Sequence, residues 1–431
     1  MQKFSPDSSV KPRGFYGYWI VFVSTLAMML SNGFSIGGLP AFYPEMLREM
    51  GALGQLPSIA IASATTFALS GLLSPLAGNL LRRLNLKIFM SIGCVLLGIG
   101  LFLYSRAYVR PQIYAAHVMF GLTLCFVSLI PNMVLISNWF HRQRGTAIGI
   151  MVTGTSLGTV IIPQVASPLI RQFGWRDAML LMSVSVWVLL LPAIWLIVKV
   201  HPQEVGQLPD GETRQEDISA TPQPPESISG MTLAEALRSP LFWIFSICAM
   251  MLFYAILAVV QQLIVFLTSL QIGMKNDDAR AVQSLMGLAS IGGKLLFGVA
   301  SDKLSRPKVN ATCCAMLALS CLMLPFLNSE NATTFAVLFG LGYGGAFVTI
   351  QLLVAECFGL RDLGRIIACI AVIETGGGAL GNLVTGLVAS RTGSYAVAYY
   401  GVIIASFISF ISGLVLVGMM RDASNEKAVK G

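Results

Sequence analysis

Residues 287–306 read GLASIGGKLLFGVASDKLSR. From Gly287 to Ser301 the stretch is apolar or small except for one lysine, Lys294, and it closes on a charged turn, Asp302-Lys303-x-Ser305-Arg306. Gly287, Ser290, Lys294 and Gly298 recur at three- and four-residue spacing, so on a helix they share one face. An ammonium group buried in a bilayer costs roughly 2.5 to 3.5 kcal/mol on insertion scales unless it is paired or wetted. The stretch therefore reads as a membrane helix whose one charge has a task.

The rest of the chain agrees. It has 431 residues, of which 55% are hydrophobic and 11% charged; a soluble protein carries about 25% charged residues. A span needs about 20 apolar residues, and twelve such runs follow one another: 18–43, 57–80, 88–105, 111–138, 145–170, 177–199, 241–270, 279–301, 307–327, 333–356, 365–390 and 395–420. The first run is too long for the apolar core of a signal peptide and has no small-residue cleavage site. The net charge of +8 sits in short loops between spans, which argues against nucleic acid as a partner. Eighteen Lys and Arg residues fall on the side of the termini and eight on the other, so the positive-inside rule puts both termini in the cytoplasm. Short loops fit a bacterial inner membrane. The eight cysteines lie in or at the ends of apolar runs without disulfide or zinc spacing and read as packing residues.

The halves repeat. Gly78-x-x-x-Arg82-Arg83 after span two corresponds to Gly298-x-x-x-Asp302-Lys303 after span eight, and Thr153-Gly154 in span five to Thr375-Gly376 in span eleven. The expected organisation is a tail (1–17), a six-helix bundle (18–199), a linker (200–240), a second six-helix bundle (241–420) and a tail (421–431). The linker is rich in proline and acidic residues and reads as solvated. Within it, Thr232 to Leu237 suits a short amphipathic helix on the membrane surface, with Leu233 and Leu237 towards lipid.

On these motifs the chain resembles the major facilitator superfamily over essentially its whole length. The loop after span eight, Gly298, Asp302, Lys303, Ser305, Arg306, matches that family's G-x-x-x-D-[KR]-x-[GS]-R. The resemblance implies an all-α membrane protein of twelve transmembrane helices in two pseudo-symmetric bundles. It also implies that Asp302 caps a neighbouring helix and that Arg306 locks the cytoplasmic gate. The N-terminal copy departs from the pattern, with Arg82 at the aspartate position and Asn85 at the glycine position. The entry to span five, Phe140-x-Arg142-x-Arg144-x-x-Ala147-x-Gly149-x-x-x-x-Gly154-x-x-x-Gly158, is similar to that of the monocarboxylate transporters and oxalate:formate antiporters. Gly17-Tyr18-Trp19 is similar to their entry motif without its acidic residue. The Gly-Pro-x-x-Gly-Gly of proton-coupled drug exporters has no counterpart in Gly158-Thr159-Val160-Ile161-Ile162-Pro163.

Lys294 lies eight residues before Asp302 and Glu374 nine after Arg365, about 12 and 13 Å into their spans. Both are near the membrane midplane, where transporters place substrate sites. Glu374, Gly377, Gly378 and Gly381 also share a helical face. The resemblance makes Lys294 the counterpart of a substrate-binding arginine, and places Glu374 where the oxalate:formate antiporters carry a second lysine. One cation with one carboxylate suits a monoanion and a proton, or a substrate carrying its own positive charge, better than a dianion. The expected mechanism pairs Glu374 with Lys294 in the empty protein and parts them when substrate and proton arrive. A charge pair that merely locks two helices is the plainer reading. Weaker substrate-binding candidates are Asn32, Asn132, Gln261, Gln262 and Gln351, for each of which an interhelical hydrogen bond competes, and Tyr254, a stacking surface for which plain packing competes. His117 reads as an interfacial polar residue. The gating set is Gly298, Asp302, Lys303, Arg306, Arg142 and Arg144.

No phosphate loop, HExxH or nucleophile elbow is present. The chain is thus expected to be a transporter rather than an enzyme, with no cofactor and as a monomer. It would carry a small organic anion, such as a monocarboxylate, with protons across a lipid bilayer by alternating access. Anion exchange, efflux, or a transport-dead sensor are the rival readings.

Overall fold

The computed structural model of the chain describes residues 15–50, 56–81, 83–211, 230–269, 271–359 and 361–430. Arg82 and the middle of the linker, 212–229, lie outside the described residues. Among the described residues there is no strand beyond an isolated bridge between Gly230 and Gly359. Eleven helical runs are long and apolar enough to cross a membrane. One of them, Arg144–Ile197, is a double crossing: Gly174, at φ 78° and ψ 163°, breaks it. With its arms counted separately the expected twelve spans are all there.

In chain order they are α1 (Gly17–Asn32), α2 (Leu56–Leu81), α3 (Leu86–Ser105), α4 (Arg110–Trp139, kinked at Ser128), α5 (144–173), α6 (175–197), α7 (Pro240–Thr268), α8 (Asn276–Lys303), α9 (Arg306–Cys321), α10 (Ala332–Phe358), α11 (Leu363–Thr392) and α12 (Tyr395–Lys430). Hydrocarbon offers a backbone no partner, so each apolar run must satisfy its own amides as a helix. Local signals set the ends. Asn85 accepts a hydrogen bond from the Lys87 amide at 2.9 Å to start α3, and Ser239 accepts one from Leu241 at 3.2 Å to start α7. Gly393, left-handed at φ 67°, ends α11. The expected surface helix is present as Leu233–Arg238, opened by a Thr232–Glu235 capping box. Leu237 is exposed, whereas Leu233 is half-buried against the protein, so only Leu237 fits the expected outward pair.

Helices α1–α6 and α7–α12 form two bundles that meet chiefly along α5 with α8 and α2 with α11. Small residues make the approaches close. Gly287 of α8 faces Ser156, Thr159 and Val160 of α5, and Gly71 of α2 faces Thr375 of α11. Within the second bundle, a Cβ on Gly344 of α10 would fall well inside contact distance of the Ser290 backbone in α8. Gly344→Val should therefore cost about 1–3 kcal/mol or more of stability, read as a lower melting temperature in detergent. An unchanged melting temperature would mean that these helices part freely.

Twelve crossings bring the helix ends nearest the two termini to one face, here the terminal face; the other is the distal face. Hydrogen bonds and ion pairs join the bundles at mid-span and towards the distal face. On the terminal side, Gly145 and Gly149 of α5 and Gly364 of α11 have open space where a side chain would stand. The bundles thus lie apart at the terminal face and together at the distal face.

The linker is anchored at both ends, less free than its composition implies. Asp210 accepts from the His141 and Arg142 amides at 2.9 and 2.8 Å, at the entry to α5. On the other half, the Leu233 amide donates to Asp362 at 2.9 Å, at the entry to α11. Asp210 holds φ at 57°, the one positive value among described non-glycine residues. Desolvation pushes its carboxyl up, but the Arg142, His141 and Gln143 amides outweigh that and hold it below the ordinary aspartate range. A depressed folded-state pKa gives stability that is present above the unfolded value and lost as pH falls through the folded one. Asp210→Ala should lower stability by up to about 1 kcal/mol at neutral pH, the cost of a lost cap at a largely solvated site. That deficit should shrink on acidification, checked by melting wild type and variant across acidic pH.

His117 corrects its sequence reading. It is fully buried in the first bundle rather than interfacial, with Nδ1 at 2.8 Å from Thr66 Oγ1 and Nε2 at 3.1 Å from Tyr104 Oη. Thr66 spends its hydrogen on the His117 carbonyl at 2.9 Å, so Nδ1 carries the ring proton and Nε2 accepts from the tyrosine.

Candidate functional site

Lys294 lies at mid-span in α8, where α8 crosses α5, and is 4% exposed. Its three ammonium hydrogens meet three oxygens of α5: Thr155 Oγ1 at 2.5 Å, Ser156 Oγ at 2.8 Å and the Val152 carbonyl at 3.3 Å. Thr155 spends its own hydrogen on the Val152 carbonyl at 2.9 Å. Ser156 receives from the lysine and so passes its hydrogen to Ser290, 2.7 Å away on α8. The lysine of one bundle is thereby tied to the other through neutral groups alone. Phe347 and Tyr343 of α10 stand on its other side, with ring centroids 5.1 and 5.9 Å from Nζ.

Glu374 is also buried at mid-span, in α11. Its carboxylate accepts from Gln351 Nε2 of α10 at 3.3 and 3.4 Å. It is not ion-paired with Lys294, which corrects the expected resting pair: the lysine is tied to α5, the carboxylate to α10. The reason is the arrangement of helices. α8 packs on α5 and α11 on α2, so residues of one depth sit at different seams.

The remaining candidates divide. Asn32 is half-buried on α1 and donates to Ser128 Oγ at 2.9 Å, joining α1 to the kink of α4. Asn132 is fully buried and mends that kink. Pro131 has no amide for the Val127 carbonyl, and Asn132 Nδ2 donates to it at 2.8 Å and to Ser128 O at 2.7 Å. Gln261 crosses the distal seam, whereas Gln262 bonds within the second bundle. Gln261 Nε2 donates to the Ile36 carbonyl at 3.1 Å, and Gln262 Nε2 to Asn382 Oδ1 at 2.7 Å. Tyr254 is turned towards α12, where a Cβ on Gly401 would meet its hydroxyl at 3.5 Å. Gln351 alone of the secondary candidates touches one of the two charges.

The expected gating residues lie at the terminal face. Arg306 pairs with Glu356 of its own bundle at 3.5 Å, not across the seam. Asp302 and Lys303 are exposed, and the helix after them, α9, has no side-chain cap. Asp302 therefore does not hold the cap expected of it in this conformation. Gly298 has room beside it, its nearest Cβ neighbour being Val348 at 3.9 Å. Arg142 and Arg144 are exposed at the mouth of α5. Thr155, Ser156 and Phe347 escaped the sequence reading. Their only sign was position: Thr155 and Ser156 lie in the small-residue run of span five, which sequence alone reads as close packing.

Two bundles of six helices with a midplane charge at their seam suit a membrane transporter, and comparison with known proteins agrees. The sequence matches the Major Facilitator Superfamily over residues 21–330 and, in an overlapping second match, 262–431. The chain belongs to the Major Facilitator Superfamily. Among its relatives is monocarboxylate transporter 12 of Xenopus laevis, 25% identical over 365 residues, or 81% of this chain and 77% of that one. The Rattus norvegicus monocarboxylate transporter 12 is 26% identical over 83% of this chain and 76% of its own. The riboflavin transporter RibJ of Trypanosoma brucei brucei is 28% identical over 46% of this chain and 37% of its own. This facilitator-superfamily member is a multi-pass membrane transporter resembling the monocarboxylate transporter branch.

Proposed function

We propose that this transporter carries a small organic monoanion, a monocarboxylate in the first place, together with a proton. One observation supports this most: a buried cation at the seam whose every partner is neutral. The desolvation cost of such a cation is best offset by an anion that comes and goes. A substrate carboxylate would replace Thr155 and Ser156 as acceptors of Lys294. That exchange loosens the tie between α8 and α5, so anion binding and the relative movement of the bundles are linked.

Charge balance supports the proton. Lys294 and Glu374 together are neutral. A monoanion adds one negative charge to a poorly solvated cavity, and protonation of Glu374 cancels it. The dianion reading lacks a second buried cation at this layer. Alternating access fits a protein closed at its distal face and parted at its terminal face. The charge asymmetry of the loops supports a cytoplasmic terminal face, which makes the conformation inward-open. Arg142, Arg144, Asp302, Lys303 and Arg306 would then close the cytoplasmic gate in the opposite state.

The test is uptake by proteoliposomes of labelled monocarboxylates, dicarboxylates and a neutral analogue, with and without an acid-outside pH gradient. Monocarboxylate uptake raised by the gradient is the expected result. Uptake of the neutral analogue alone would overturn the anion reading.

A further inference from the structure

At its distal end α1 loses regular helix, passing into a π turn over Gly33–Gly37 and a 3-10 turn over Leu39–Phe42. Three carbonyls of this irregular stretch are each met by a side chain of the second bundle. Gln261 Nε2 donates to Ile36 O at 3.1 Å, Gln283 Nε2 to Gly37 O at 3.1 Å, and Arg280 Nε to Ala41 O at 3.0 Å. All three side chains are at most 2% exposed. Arg280 also meets Glu45 of the first bundle at 2.6 Å, a contact that is ionic rather than an aligned hydrogen bond, and Asn276 donates to the same Glu45 oxygen at 2.8 Å.

The joint is incompletely satisfied. Ser35 Oγ, Glu45 Oε2 and Gln283 Oε1 are buried there without a hydrogen-bond partner from the protein. A permanent interface forfeits those bonds for good, while one that parts returns them to water. The seam thus has specific ties and a standing reason to open.

We propose that Gln261, Gln283 and Arg280 are the latch of the distal gate, holding the broken end of α1 while that face is closed and releasing it when the protein opens there. The latch rests on the alternating-access reading above, and it gives Gln261 a gating role in place of substrate contact. Arg280 acts as a positioning residue: it sets which face is open, without touching the substrate.

The experiment is pulse-dipolar spectroscopy on full-length protein in nanodiscs, without substrate. Spin labels go on Tyr108→Cys and Glu330→Cys, exposed positions on the distal turns of the two bundles, in a Cys369→Ser background; the other seven cysteines are buried. Wild type should show a dominant short distance. Gln283→Leu removes two donated bonds, to Gly37 O and Val260 O, together with an unpartnered oxygen, so the fold should persist. It should raise the long-to-short population ratio by about fivefold, the effect of the one ordinary hydrogen bond that crosses the seam, to Gly37 O; Val260 belongs to the same bundle as Gln283. Gln261→Leu/Gln283→Leu/Arg280→Met should make the long distance dominant. Unchanged distances in Gln283→Leu, or in the triple variant if it folds, overturn the latch. Because no substrate is present, the distance shift can appear even if no carboxylate is ever transported. That outcome would keep the latch and remove the anion reading.

Discussion

Lys294→Met should sharply lower uptake of a monocarboxylate and at the same time leave the protein as stable as wild type, or more so. The first effect follows from the loss of the cation buried at the midplane of the seam. A hydrogen bond to a charged group is worth about 1.5–3 kcal/mol, so uptake at subsaturating substrate should fall about tenfold to a hundredfold. The second follows from the partners. Thr155 and Ser156 keep their own hydrogens spent, on Val152 O and on Ser290, so removing the lysine strands no donor. Methionine fills similar space without the desolvation cost of an ammonium. Lys294→Arg should retain part of the uptake, since the charge remains but the guanidinium fork does not fit three acceptors arranged for an ammonium. Uptake and melting temperature measured on the same preparations check this. A methionine variant that transports normally removes Lys294 as the anion site. One that is destabilised as much as it is inactivated makes the lysine a structural tie.

Much of this was legible because a bilayer dictates it. Span length follows from hydrocarbon thickness, so twelve apolar runs became twelve helical crossings, even where Gly174 leaves two of them in one continuous run. The depth of Lys294 and Glu374 followed from rise per residue. Lateral position did not, because depth along a helix says nothing about which neighbour a face meets. Hence the supposed pair is two separate sites. Gln261 and Gln262 illustrate the same limit. Neighbours on a helix point about 100° apart, so one reaches α1 and the other reaches α11, and neither is bonded to Lys294 or Glu374. Asn132 was read as a cavity residue because a polar side chain in lipid invites a function. The proline one position earlier was the stronger signal, since it creates the unpaired carbonyl that the asparagine repairs. The burial of Arg280 depends on the irregular end of α1, and no local sequence signal at Arg280 says what will meet it.

Glu374→Gln should separate substrate movement from proton movement. The variant keeps a polar group of the same size beside Gln351, and two amides can hydrogen-bond as an amide and a carboxylate do, so folding should be little affected. What it loses is the ability to change charge. In wild type an acid-outside gradient should drive a monocarboxylate above its equilibrium level in the vesicle, because each anion enters with the proton that neutralises Glu374. In the variant the cavity is already without that carboxylate charge. The anion can then cross with Lys294 and exchange against unlabelled anion inside, but the gradient has no group to act through. Gradient-driven accumulation should fall to the level seen without a gradient, while exchange should stay within about threefold of wild type, a change of under 1 kcal/mol in the barrier. A pH-sensitive dye trapped in the vesicles gives the independent reading: acidification on adding substrate in wild type, none in the variant. If accumulation and acidification both persist in Glu374→Gln, the proton travels by another group and the charge-balance argument fails. If exchange is lost as well, the carboxylate holds α11 against α10 rather than carrying a proton, and Glu374→Asp, which shortens the side chain but keeps its charge, should fail in the same way.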